Sequence, residues 1–368
     1  MAERTRVAVI GATGYSGVEL CRLLLGHPEV ELAAVAARSE AGRPLGEVYP
    51  HLARVAGGLV LRSPQVEELA GSAELFFLAL PSGESPAYVE ALRARGRAVI
   101  DLAGDLRLER HEEYLRWYGG RAAEPLAGER YRRLRAGAVY GLPELHREEL
   151  RRLGEGWRRG GAPAPLVLNP GCYPTAAVLV LAPFLAAGWL EPSSLVVDAK
   201  SGVTGAGRAK GPDYAFAELD GNFAAYKLGR HQHRPEIAQE LGKLAGEPAD
   251  PLFTAQLLPV RRGILVTAYA RLRRPSTERE LWERCAGFYR EERFVRLLPP
   301  GESPQLRDVV GSNEVHLGLS LDADGRRVTL LAALDNLGKG AAGQAVQNMN
   351  LLLGLPEAEG IEAAALRP

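Results

Sequence analysis

The stretch "RVAVIGATGYSGVELCRLLLGHP" (residues 6–28) decides the fold. A short β-branched apolar run ends in a glycine corner, and Val18, Leu20, Cys21, Leu24 and Leu25 then follow at helical spacing. Gly11, Gly14 and Gly17 spell G-x-x-G-x-x-G at that strand-to-helix corner. Glycines there permit a tight turn and let backbone N–H groups approach a pyrophosphate at the positive end of a helix. A Gly-rich corner alone is a weak signal. This one opens an alternating series: "VELAAVAARS" (30–39) reads as a second strand, and "AELFFLALPSG" (73–83) and "RAVIDLAGDLRL" (97–108) read as buried strands with the helix "SPAYVEALRARG" between them. Such alternation is the pattern of βαβ units and a parallel sheet, so the corner reads as a dinucleotide site.

The second strand bears on the cofactor. An NAD site usually ends this strand with an acidic residue for the ribose 2′-hydroxyl. Here it ends Ala36-Ala37-Arg38-Ser39, and Arg38 and Ser39 suit a 2′-phosphate, which favours NADP. The bland alternative makes Arg38 a solvated loop residue and gives Glu40 the acidic part.

Length and composition narrow the rest. The 368 residues suggest two or three domains, and 46% apolar with 24% charged residues is normal for a globular protein. Forty-five basic residues balance 45 acidic ones, so no broad basic face is expected for nucleic acid or an anionic membrane. The start has no charged n-region followed by an apolar h-region, and the longest apolar run (176–190) is broken by Pro183 and Gly188. Cysteines 21, 172 and 285 are too few and scattered for a disulfide framework or a zinc cage, which suggests a reducing, cytoplasmic compartment without a metal.

Residues 154–165, "GEGWRRGGAPAP", are Gly/Pro-rich without periodicity and read as a surface excursion. Beyond it the texture changes. "SLVVDAKSGVTGAGR", "PLFTAQLLPVRRGILVTAYARL" and "RRVTLLAALDN" alternate as in a mixed or antiparallel sheet, while "PEIAQELGKLAG" and "ERELWERCAGFYREE" supply helices. The end, "NLGKGAAGQAVQNMNLLLGL" (336–355), is Gly-rich and then helical.

Within "LNPGCYPTAAVLVLAPFL" (168–185), Pro174 fits the first turn of an apolar helix, which leaves Cys172 at its N-terminal end. A thiol there feels the positive end of the helix dipole, which raises its thiolate fraction. Cys21 and Cys285 read instead as inert core residues. A nucleophilic thiol needs a proton partner, and two of the seven histidines, His231 and His233, fall in "LGRHQHRPEIAQEL" ahead of a helix begun by Pro235. At i, i+2 they share one side of an extended segment. A metal site there lacks further clustered ligands.

Together "GATGYSG" (11–17), "NPGCYPTA", "SGVTGAGR" (201–208), "GRHQHRPEI" (229–237), "PVRRGI" (259–264) and "NLGKGAAGQAVQNMN" (336–350) resemble the N-acetyl-γ-glutamyl-phosphate reductases of arginine biosynthesis, relatives of aspartate-semialdehyde and glyceraldehyde-3-phosphate dehydrogenases. The resemblance runs in order from about residue 6 to 354. It implies an α/β protein: an NADP-binding Rossmann domain (1–168, completed by 336–368) and an α/β catalytic and dimerisation domain with a mixed or antiparallel sheet (169–335). It also implies a homodimer or homotetramer whose C-terminal helix, about 341–354, returns to the nucleotide domain. The implied substrate is a small acyl phosphate, attacked by Cys172 to form a thioester that NADPH reduces. One of His231 and His233 is the acid/base, and Tyr226 and Glu236 lie near the site.

Arginines suit the phosphate and the substrate carboxylate, because the guanidinium fork meets both in a bidentate way. Motif context selects Arg107, Arg208 and Arg262. The expected cofactor contacts are Gly11, Thr13, Gly14, Tyr15, Ser16, Gly17, Arg38, Ser39, Pro81, Ser201, Gly202 and Asn336. The Gly/Pro stretch 154–165 departs from the pattern as an insertion. Rival readings are a sister reductase for carrier-protein-linked aminoadipyl or glutamyl phosphate, an aspartate-semialdehyde dehydrogenase, and a non-catalytic NADP-binding sensor. Pro170, Tyr173 and Pro174 around the cysteine favour the free N-acetylated substrate over the carrier-linked one.

Overall fold

The computed structural model describes residues 4–121, 124–208, 211 and 214–366. The chain divides into two compact units, Met1–Pro170 with Ala341–Glu362, and Gly171–Gly340 with Ala363–Pro368.

The first unit is built on seven parallel strands: β1 (Thr5–Ile10), β2 (Val30–Ala36), β3 (Leu61–Arg62), β4 (Leu75–Leu78), β5 (Ala98–Asp101), β6 (Val139–Tyr140) and β7 (Leu166–Leu168). Their order is β3-β2-β1-β4-β5-β7-β6. A parallel sheet is covered on both faces, and the runs "LFFL" of β4 and "AVID" of β5 are buried throughout. The order reverses at β1, so a crevice opens outside the carboxyl ends of β1 and β4, where open α/β sheets take ligands. The alternation expected from the sequence is there, although β2 stops at Ala36 and Arg38-Ser39 lie beyond it.

The C-terminal helix Gly343–Leu353 belongs to this unit. Four of its amides, on Gln344, Gln347, Asn348 and Asn350, are fully buried. Asn348 Nδ2 donates to the Gly141 carbonyl and to Asn169 Oδ1 (2.9 and 3.0 Å), and Asn350 Oδ1 lies 3.0 Å from His27 Nε2. The helix packs on Pro143–Arg158, where an added Cβ on Gly154 would overlap the Leu352 backbone. This overturns the reading of 154–165 as a wholly irregular excursion. Residues 154–158 are helical, because Gly154 serves a close helix contact rather than a break.

The second unit holds a mixed sheet of β8 (Val196–Gly202), β9 (Ala224–Tyr226), β10 (Leu252–Leu258), β11 (Ile264–Arg271), β12 (Val295–Leu297), β13 (Val315–Leu321) and β14 (Arg327–Leu334), ordered β12-β13-β14-β11-β8-β10-β9. β8–β10 and β12–β13 run parallel and the other pairs antiparallel. Alternation along β8 and β11 sends Val197, Ala199, Val266 and Ala268 into the core, while Asp198, Lys200 and Tyr269 fall on the other face. The helix Cys172–Leu185 packs on this sheet, with every residue from Tyr173 to Leu185 buried. A helix that is apolar all round belongs inside a core. It begins at Cys172 and not at Pro174, which takes the third position, where its missing N–H costs nothing.

Candidate active site

Cys172 is the first residue of its helix, and Gly171 is the N-cap with extended backbone (φ −68°, ψ 152°). The N-cap Gly171 brings no side chain to this end and the first turn holds no acidic residue of its own, so the positive end of the dipole favours a thiolate at Cys172. Two contacts fix the corner. The buried Glu236 carboxylate accepts the Gly171 N–H through Oε1 at 2.8 Å, and Thr175 returns both its N–H (2.9 Å) and its hydroxyl (3.0 Å) to the Gly171 carbonyl. On the other side Gly340 presses against the cysteine, since a Cβ built there would stand 2.8 Å from Cys172 Cβ.

Aromatic rings pack beside the thiol's helix. His231 is buried, with ring centroids 5.4 Å from each of Tyr173, Tyr226 and Phe253 and 4.9 Å from His233. The expected extended geometry of the histidine pair is overturned. His233, not Pro235, opens the helix His233–Ala245, and Gln232 is already helical (φ −63°, ψ −15°), so a turn brings the rings together. That turn also sets a tautomer. His231 Nδ1 accepts the His233 N–H at 3.2 Å, so neutral His231 carries its proton on Nε2 and presents a donor there. The hydroxyls of Tyr173 and Tyr226 are 3.1 Å apart, and Tyr173 donates to the Gln256 carbonyl at 3.3 Å. Burial pushes both phenols well above their ordinary range, so they remain protonated donors.

The other predicted residues of this unit fall into one knot of loops, one ion pair and one exposed arginine. Asn336 Oδ1 accepts the Gly263 N–H (2.7 Å) and its Nδ2 donates to Thr204 Oγ1 (2.9 Å), so its amide knits the segments that follow β8, β10 and β14. Ser201 and Gly202 lie in the same knot: Gly202 N–H bonds to the Gly263 carbonyl at 2.9 Å, and a side chain at 202 would meet the Val260–Arg261 backbone. Arg262 clamps Asp335, which is fully buried, with Nε at 3.0 Å and Nη2 at 2.7 Å. One edge of the guanidinium fork is therefore committed within the protein. Arg208 is exposed at the end of the 203–208 loop.

In the first unit the glycine corner has the form an anion cradle needs. Gly11 adopts φ +91°, and a Cβ there would overlap the Ala79 carbonyl. A Cβ on Gly17 would overlap the Gly11 carbonyl. Around Gly14 the nearest atom to such a Cβ is 3.6 Å away, so its outer side is open. The outer glycines thus serve chain packing and the middle one leaves room for a ligand's approach. Gly14 is the N-cap of the helix Tyr15–Leu25, which Tyr15 and Ser16 open without a side-chain cap or first-turn acid. The Thr13 carbonyl accepts the Tyr49 hydroxyl at 2.6 Å. These residues fit a dinucleotide pyrophosphate. Arg38 and Ser39 are exposed past β2, where Arg38 pairs with Glu84 at 3.1 Å, and Pro81 is exposed past β4. Arg107 is buried, with Nη2 donating to the Leu102 carbonyl at 2.6 Å.

Known proteins agree with this layout. Residues 6–153 match the family model of the semialdehyde dehydrogenase NAD binding domain, and residues 172–336 match that of the semialdehyde dehydrogenase dimerisation domain. Aspartate semialdehyde dehydrogenase II of Vibrio cholerae superposes with a TM-score of 0.69 at 18% identity, covering 96% of this chain and 99% of that one. The Candida albicans enzyme, solved with NADP, gives 0.70 at 17%, covering 95% and 98%. N-acetyl-gamma-glutamyl-phosphate reductases from Pelotomaculum thermopropionicum and Moorella thermoacetica are 48% and 45% identical, each over 99% of both chains. The class is that of the semialdehyde dehydrogenases, and within it the chain belongs to the N-acetyl-γ-glutamyl-phosphate reductase family.

Proposed function

We propose that the chain reduces N-acetyl-L-glutamyl 5-phosphate to N-acetyl-L-glutamate 5-semialdehyde and phosphate, with NADPH, as a step of arginine biosynthesis. The observation that carries the chemistry is Cys172 as the first residue of a helix, in the unit that also holds His231 with its Nε2 proton set. Relatives bearing that activity's name at up to 48% identity carry the substrate. The Cys172 sulfur attacks the acyl-phosphate carbonyl; a C–S bond forms, the C–O bond to phosphate breaks, and phosphate leaves with the bonding pair. The helix end stabilises the oxyanion of each addition step. The nicotinamide, when bound, supplies the hydride that takes the thioester carbon to the aldehyde level. His231 Nε2–H donates a hydrogen bond to the oxyanion of the thiohemiacetal, and as that oxyanion re-forms the carbonyl the C–S bond breaks and the thiolate leaves with the bonding pair.

We assign this role to His231 rather than His233. Replacing His231 with Asn is expected to lower kcat by roughly 10²- to 10³-fold, the usual worth of one oxyanion donor. His233→Asn retains the ring-free backbone N–H that fixes His231, and its kcat falls by about tenfold or less. Steady-state rates in the reverse direction, from semialdehyde, phosphate and NADP, decide between them; equal losses would contradict the assignment.

NADP is proposed over NAD on Arg38. Its ion pair with Glu84 is exposed, a kind worth about 0–1 kcal/mol, so a 2′-phosphate can replace the carboxylate. Arg38→Ala should raise KM for NADPH about tenfold and leave KM for NADH unchanged, the size of one lost charged contact. Wild-type protein using NADH as well as NADPH would remove this argument. We further propose a cytoplasmic homodimer or homotetramer. The half-open sheet face around Leu252 and Tyr269, 67% and 45% exposed, supports a second copy there.

A further inference from the structure

Two buried carboxylates stand at the carboxyl end of β5 with no part in the mechanism above. Asp101 ends the strand fully buried, and Asp105, in the following turn, is 1% exposed. Between them lies the buried hydroxyl of Ser85, the first residue of the helix Ser85–Arg93. Its Oγ is 2.8 Å from Asp101 Oδ2 and 3.5 Å from Asp105 Oδ2. The outer oxygens are taken by backbone: Asp101 Oδ1 accepts the Ala103 N–H at 2.9 Å, and Asp105 Oδ1 accepts the Gly83 N–H at 2.7 Å. Gly83 adopts φ +98° in the loop past β4. One cluster therefore ties the loop after β4 to the loop after β5, and the second of these carries Arg107.

Hydrogen bonds to backbone N–H groups alone would be served as well by asparagines. Acids at this burial carry a cost that asparagines avoid. Burial pushes Asp101 up to about 7 and raises Asp105, while Arg107 opposes both shifts and Arg121 also opposes the second. Two carboxylates joined through one hydroxyl share a proton more readily than they hold two charges. The cluster thereby fixes the two ends of the short turn that carries Arg107, whose Nη2 donates to the Leu102 carbonyl inside the same turn.

We infer that Asp101, Ser85 and Asp105 form a buried positioning network that sets the place of the Arg107 guanidinium, and through it the affinity for the substrate's phosphate. The inference rests on the reading of Arg107 as a phosphate-binding arginine. None of the three touches the reacting atoms; they act through Arg107.

A double-mutant cycle on the full-length enzyme tests it, with inorganic phosphate as the varied reactant in the reverse reaction. Arg107→Lys is expected to raise KM for phosphate about tenfold or more, the loss of a bidentate grip. Ser85→Ala and Asp105→Asn should each raise it several-fold while leaving KM for NADP within about twofold, and Ser85→Thr should restore the wild-type value. In the Arg107→Lys background Ser85→Ala should add nothing, because residues acting through one another are not additive. If Arg107→Lys leaves KM for phosphate unchanged, the arginine reading fails and takes the inference with it. If Arg107→Lys weakens phosphate but Ser85→Ala is silent, fully additive, or raises both KM values equally, the positioning network alone is overturned.

Discussion

Cys172→Ser is expected to abolish turnover while leaving NADPH binding within a few fold of wild type. The hydroxyl has nearly the thiol's shape, so the helix and its Gly171 corner persist. The lost function is the nucleophile: a serine hydroxyl at neutral pH is a far weaker nucleophile than a thiolate and forms no thioester. The expected fall in kcat is about four orders of magnitude or more, the scale seen when a covalent nucleophile is removed. The check pairs reverse-direction rates with fluorescence titration of NADPH. Loss of NADPH binding in parallel with activity would mean the substitution damaged the fold, and retained turnover would mean the thioester route is wrong.

Gly340→Ala is the second large effect, and it comes from a residue that carries no chemistry. The new methyl would stand 2.8 Å from Cys172 Cβ and 3.1 Å from the Asp335 carbonyl oxygen. The Asp335 side is rigid: its buried carboxylate is held by Arg262, by the Gly311 N–H at 2.6 Å and by the Leu337 N–H at 2.9 Å. The cysteine side must therefore give, and a shift approaching 1 Å at a reacting atom costs about 10²-fold in rate. We expect kcat down by roughly that factor, with a loss of stability on the order of 1–3 kcal/mol from overpacking. Thermal unfolding together with single-turnover rates measures both. An unchanged kcat in a folded variant would show that Gly340 does not set the thiol's place.

These two residues also mark where sequence reading succeeds and where it stops. The Cys172 helix was legible because a Pro-Gly corner and an apolar run leave few alternatives for the chain between them. The glycine corner was legible for a like reason, since Gly11 at φ +91° cannot carry a side chain cheaply. Local rules mislead at residues 154–158, where Gly154 and Gly156 open a Gly/Pro-rich run without periodicity. Gly154 is tolerated there because the Leu352 backbone needs its missing side chain. The histidine pair was found, but its strand-like geometry was wrong, because Gln232 already turns into the helix. Contacts across long sequence separations were invisible. Gly340 against Cys172, Glu236 on the Gly171 N–H, and Asp335 under Arg262 all depend on how the second unit packs. "RAVIDLAGDLRL" reads as a buried strand, but no local pattern carries the burial of both Asp101 and Asp105.

The passage of the acyl group through the Cys172 sulfur is open to direct test. It is tested most directly by trapping the acyl-enzyme. The full-length protein is incubated with N-acetylglutamate semialdehyde and NADP in the absence of phosphate, quenched in acid, digested and examined by mass spectrometry. A burst of one NADPH per active site and one N-acetylglutamyl group on the peptide holding Cys172 are the expected results. A burst without any modified cysteine, or an acyl group on another residue, would contradict it.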